Sequence, residues 1–182
     1  MATVAAWQLG QAAYVPVKAW LAQVLLERSW QQVLGGESGA KPWAWADTRP
    51  IARIEFPRLD RRYLVLAGSS GRTLAFGPGH VTATALPGEP GNSVIGGHRD
   101  THFALLRELQ LGDVVVVERP DAARMRYRVS RTEVVDKGAL HLLDQDGGLD
   151  RLTLTTCYPF HTVRAGGPLR YVVIAERNSP LP

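Results

Sequence analysis

The sequence holds a single cysteine, Cys157, in 182 residues. That excludes an intramolecular disulfide and any zinc site built from several thiolates. No run of five or six like charges occurs either. Lys and Arg outnumber Asp and Glu by 21 to 17, but the excess is scattered, so the basic footprint of a nucleic-acid-binding protein is missing and no such partner is expected. No apolar stretch reaches the roughly 20 residues of a membrane span: the longest uncharged one, Met1 to Val17, contains Gln8, Gln11 and Pro16. It has neither the basic leader nor the cleavage site of a signal peptide, so the chain as it stands is expected to be soluble. Internal repeats and low-complexity tracts are absent, and no cluster of His, Cys and carboxylates has metal-ligand spacing. A cofactor-free protein is expected.

What is present reads as one globular domain with an N-terminal appendage: 45% of residues are hydrophobic and 21% charged, enough for one sizeable core. Pro16 fits the first turn of a helix. Val17, Trp20, Leu21 and Val24 follow at i, i+3, i+4 and i+7, and Leu25, Leu26, Trp30 and Val33 extend the apolar side to the Gly35-Gly36 stop. The spacing predicts an amphipathic helix over 16–34 lying on another element. The Pro- and Trp-containing segment that follows is a linker in which Trp43 and Trp45 are expected to pack against the domain. Residues 1–49 form the appendage and 50–182 the main domain.

From Pro50 on, short β-branched runs alternate with Gly, Pro, Asp and Asn. Strands are predicted at Ile51 to Pro57, Tyr63 to Ala67, Asn92 to Gly97, Asp113 to Arg119, Met125 to Val135, Arg151 to Cys157 and Arg170 to Arg177. This is an all-β pattern, a barrel or a sandwich. A short helix is expected at Phe103 to Leu109, N-capped by Thr101.

Lone cysteines are often inert buried hydrophobes, but the setting of Cys157 argues otherwise. It closes Arg151-Leu152-Thr153-Leu154-Thr155-Thr156, an alternating half-buried strand, and Tyr158-Pro159 ends that strand at once. A thiol with an ordinary pKa of about 8.5 needs a nearby base or cation to act as a nucleophile. Two histidines, His98 and His102, stand just after the apolar run Val94-Ile95, and spacing alone does not choose between them. Arg170 opens a strand on the far side of a hairpin-length interval, where a fixed guanidinium could face an oxyanion.

Together these residues resemble the sortase family. Thr153-Leu154-Thr155-Thr156-Cys157 is similar to its cysteine motif, Gly97-His98-Arg99-Asp100 to its histidine motif, and Arg170 after Pro168-Leu169 to its arginine position, in the order that the family uses. The resemblance covers about Pro50 to Arg177. It implies an eight-stranded closed β-barrel with short helices and a catalytic set of Cys157 as nucleophile, His98 as acid and base, and Arg170 as oxyanion partner. Thr156 is added as a substrate-binding residue that donates a hydrogen bond to substrate or oxyanion. The implied reaction cleaves an LPxTG-type sorting signal after its threonine, through a thioester, and passes the acyl group to an amine nucleophile.

Phe76-Gly77-Pro78-Gly79-His80, Leu86 to Asn92 and Gly97 to Phe103 resemble class D sortases and their Gram-negative relatives, and the helix ending in Leu25-Leu26-Glu27-Arg28 with the segment Pro42 to Asp47 resembles the N-terminal region of the Gram-negative group. For those the resemblance implies a monomer in the cell envelope, held in the inner membrane by an anchor absent from this chain and facing the periplasm. Two rivals use the same residues differently: a cysteine endopeptidase in which water resolves the thioester, and a catalytically silent β-barrel binding module.

Overall fold

The computed structural model describes residues 2–144, 150–162 and 166–177, with side chains from Val17 onward. Eight strands close into a barrel: β1 (Pro50–Phe56), β2 (Arg61–Ala67), β3 (Gly79–His80), β4 (Asn92–Gly96), β5 (Val114–Glu118), β6 (Arg124–Asp136), β7 (Arg151–Tyr158) and β8 (Leu169–Glu176). Around the barrel they run β1-β2-β3-β4-β7-β8-β6-β5, and β5 pairs back on β1. The β2–β3 and β4–β7 pairs are parallel and the others antiparallel. The expected all-β closed barrel is what forms. Seven of its strands lie within two residues of the predicted runs; β3, two residues long, is too short to show any periodicity.

Successive side chains on a strand face opposite ways. The inward set, including Ile54, Phe56, Val65, Ile95, Val117, Val129, Leu152, Leu154 and Val173, fills the core together with Phe103, Leu105 and Leu106. A bulge between Val129 and Arg131 lets the long β6 pair with β5 along its first half and with β8 along its second. The predicted helix after Thr101 is a 3-10 turn over Ala104–Glu108, with Phe103 at the cap position and no side-chain cap bond. The Thr101 hydroxyl instead lies 3.4 Å from His102 Nδ1.

The N-terminal helix, α1 (Ala2–Leu34), starts well before Pro16 and runs through it, so Pro16 forfeits an interior hydrogen bond rather than opening the helix. Its buried face keeps only the later part of the predicted one. Ala22, Leu26, Ser29, Trp30 and Val33 are buried, whereas Val17, Trp20, Leu21 and Val24 are exposed, Trp20 at 65%. Two stripes at helical spacing compete in this sequence. The winning one places Trp30 with Val33 and Ala40 against Leu34 and Leu64, and the Ser29 hydroxyl is satisfied by donating to the Ala40 carbonyl at 2.8 Å. Arg53 of β1 locks the contact: its guanidinium sits 5.8 Å from the Trp30 ring centroid and bridges Glu27 and Glu118. Trp43 packs edge-on against Phe76, but Trp45 is 82% exposed, so the packing expected of both indoles is made by one. Among the described residues no helix is long and apolar enough to cross a membrane.

Candidate active site

The site begins with the parity of β7. Leu152 and Leu154 point into the core, so Thr156 shares their inward face while Thr153, Thr155 and Cys157 face outward. Cys157 is half-buried at the strand's end. In the antiparallel β7–β8 ladder it lies directly opposite Arg170, which puts the two side chains on the same face, with Cβ atoms about 5 Å apart by ordinary strand geometry.

On the other side of β7, β4 runs parallel, pairing Gly96 with Thr155. The Gly97 amide extends this ladder by donating to the Thr155 carbonyl at 3.1 Å. His98 is two residues past Gly96, and Cys157 is two past Thr155. The register therefore brings the loop that leaves β4, with His98 two residues past its end, level with Cys157, and β4, β7 and β8 bring His98, Cys157 and Arg170 to one end of the barrel wall.

Several contacts fix the histidine loop. The Phe103 amide donates to the His98 carbonyl at 2.9 Å, and the Phe103 ring is wholly buried. A Cβ at position 97 would come within 2.6 Å of that ring, so only glycine lets the loop close over it. Arg99 is 8% exposed, and its Nη2 donates to the Thr162 carbonyl at 2.9 Å, tying the histidine loop to the segment beyond Cys157. Its clamping role was not legible in the sequence, where an arginine between two polar residues carries no burial signal.

Spacing left His98 and His102 open, and the two stand differently in the fold. His102 turns towards β2, edge-on to Tyr63 with ring centroids 5.6 Å apart. Burial, and then the positive charge of His98, hold its pKa below the ordinary value of 6.5, with Asp100 opposing. His80 is a buried structural residue whose Nε2 lies 2.9 Å from the Ala85 carbonyl. His141, in the short 3-10 helix Leu140–Leu143, and His161, in a turn, are exposed.

Thr156 departs from expectation. It is 2% exposed on the inward face, and its hydroxyl donates to the Gly97 carbonyl at 2.7 Å. Its one proton is therefore already committed, and its place is that of a clamp between the cysteine strand and the histidine strand rather than of a donor to substrate. Arg170 Nη1 donates to the carbonyls of Gly167 at 3.0 Å and Leu169 at 2.9 Å. Among the described residues no three His, Cys, Asp or Glu side chains are grouped as metal ligands would be. The arrangement can perform acyl transfer: a thiol and a guanidinium share one outward face, and an imidazole stands on the loop that leaves the adjacent strand.

The family model described as "Sortase domain" matches residues 54–178. Sortase D of Bacillus subtilis (strain 168) is 32% identical over 124 residues, a stretch that spans 68% of this chain and 62% of that relative's length. The crystal structure of sortase C-1 from Actinomyces oris is similar at 32% identity and a TM-score of 0.63, covering 72% of this chain and 76% of that one. Sortase A from Corynebacterium diphtheriae is similar at 27% identity and a TM-score of 0.66, covering 88% and 86%.

Proposed function

Because the chain belongs to the sortase family, we propose that it is a cysteine transpeptidase acting on an LPxTG-type sorting signal. The observation that carries this reading is the register that sets Cys157 opposite Arg170 and level with His98. The Cys157 thiolate attacks the carbonyl carbon of the signal's threonine, and Arg170 faces the oxyanion that forms. As the threonine–glycine C–N bond breaks, the His98 imidazolium gives its proton to the leaving amine, and a thioester on Cys157 remains. An incoming amine then attacks that thioester and loses a proton to His98, and the thiolate leaves as the new amide forms. Clamping by Thr156 and Arg99 keeps the histidine loop at this distance from β7. No metal or organic cofactor takes part in any of these steps.

The finer assignment rests on the motif strings and the N-terminal segment. It makes the chain a class D-like enzyme of the Gram-negative group, monomeric, with residues 1–49 as an accessory element on the catalytic barrel of 50–182. It acts in the cell envelope, held to the inner membrane and facing the periplasm. Bacillus subtilis, source of the similar Sortase D, is Gram-positive, so the group is assigned on those strings and not on that relative. Incubation with an LPxTG-type peptide and excess triglycine tests the reaction. The expected product is the peptide joined to triglycine through its threonine; hydrolysis alone under amine excess would make the protein an endopeptidase, and no cleavage at all would make it a binding module.

A further inference from the structure

Arg170 is held by the chain that precedes it. Gly166 and Gly167 both have positive φ, +78° and +108°, and the Gly167 carbonyl that results accepts from Arg170 Nη1 at 3.0 Å. The φ and ψ of Gly167 together place that carbonyl, and a φ of +108° is a conformation that a residue with a Cβ rarely adopts. Space is not the constraint, since a Cβ there would meet only the Tyr158 carbonyl at 3.6 Å.

The loop's exit is fixed. The Pro168 carbonyl accepts from the Lys137 amide, and Leu169 pairs with Tyr158 on one side and Asp136 on the other. A change at Gly167 therefore moves the carbonyl rather than the strand. Both Nη1 hydrogens have backbone acceptors, in Gly167 and Leu169, so Nε and Nη2 of the five-donor guanidinium are the donors left for an acceptor on the face shared with Cys157.

We infer that Gly167 is a positioning residue for the reaction: its left-handed backbone presents the carbonyl that aims the Arg170 guanidinium over Cys157. This rests on the reading of Arg170 as the oxyanion partner. An oxyanion contact tightens only in the transition state, so a misaimed guanidinium lowers kcat and leaves KM nearly unchanged.

The test compares Gly167→Ala, Gly167→Asn, Gly166→Ala, Arg170→Ala and the Gly167→Ala/Arg170→Ala double variant, with product followed by mass spectrometry so that slow turnover is counted. Gly167→Ala should lower kcat by about 10- to 100-fold with KM within about twofold. Gly167→Asn, whose side chain tolerates positive φ better, should fall between Ala and the parent, and it stands in if the Ala variant does not fold. Gly166→Ala, which strains the same loop without touching the acceptor, should lose less. The double variant should be no slower than Arg170→Ala. The Arg170 Nε–H signal in the proton–nitrogen spectrum, identified by its loss in Arg170→Ala, should move in Gly167→Ala and stay in Gly166→Ala.

Full kcat in Gly167→Ala, an equal loss in Gly166→Ala, an unmoved Arg170 signal, or a Gly167→Ala loss that adds in full to that of Arg170→Ala would each overturn the inference. Full activity in Arg170→Ala would overturn the reading of Arg170 itself.

Discussion

Adjacent on β7, Thr156 and Cys157 face opposite sides of the barrel wall, and that one-residue step decides what each can do. Cys157 stands half-buried on the outer face, whereas Thr156 donates inward to the Gly97 carbonyl. Thr156→Val keeps the shape and removes the donor, so it should cost about 1 to 3 kcal/mol of stability through the orphaned carbonyl. It should lower kcat/KM by less than about tenfold, where loss of a direct oxyanion donor would cost about 100- to 1000-fold. Denaturant unfolding and steady-state kinetics on one preparation separate the two.

His102 offers a second residue-scale check. Its pKa is depressed in the folded state, so the unfolded chain binds its proton more readily, and stability drops as pH falls below the unfolded value of 6.5. His102→Phe keeps the ring against Tyr63 and removes the proton. Its unfolding free energy should therefore fall less than the parent's between about pH 7.5 and about pH 5.5, with His98 and Asp100, the charged groups acting on it, unchanged. An undiminished slope would assign the pH dependence to other groups.

At the scale of elements, the N-terminal helix shows how far a one-dimensional pattern reaches. Periodicity correctly announced a helix but put Val17, Trp20, Leu21 and Val24 on one apolar side with Leu26, Trp30 and Val33, of which only the latter three are buried. The selecting information lies elsewhere in the chain, in Leu64, Ala40 and the Arg53 guanidinium that receive Trp30. Trp30→Ala should therefore destabilise by about 3 to 5 kcal/mol, whereas Trp20→Ala should stay within about 0.5 kcal/mol. Urea denaturation of the pair measures both, and the reverse ranking would put the Trp20 end of the predicted stripe against the barrel. The strands were easier to read because alternation and the Gly, Pro and Asn breaks that bound them are local. β3 was missed because two residues have no period.

At the scale of the whole molecule, the barrel's order is what turns three scattered residues into a site. β4 and β7 are parallel neighbours although β5 and β6 intervene in sequence, and β8 returns antiparallel on β7. Cys157 at the end of a strand and Arg170 at the start of another were legible from local pattern. That His98 rather than His102 stands level with the thiol was not, because the β4–β7 register joins residues far apart in the chain. Arg99 and Gly167 escaped for the same reason: a buried clamp and a left-handed carbonyl acquire their meaning only from the partners that the fold supplies.

The claim on which the account turns is that Cys157 carries the acyl group between donor and acceptor. Intact-protein mass spectrometry after mixing with an LPxTG-type peptide, without added amine and quenched in acid, measures it directly. The account predicts a mass increase equal to the peptide up to its threonine, mapped to Cys157, released by hydroxylamine and absent from Cys157→Ala. Cleavage of the peptide with an unmodified Cys157 at every time point, or an equal adduct on Cys157→Ala, would contradict it.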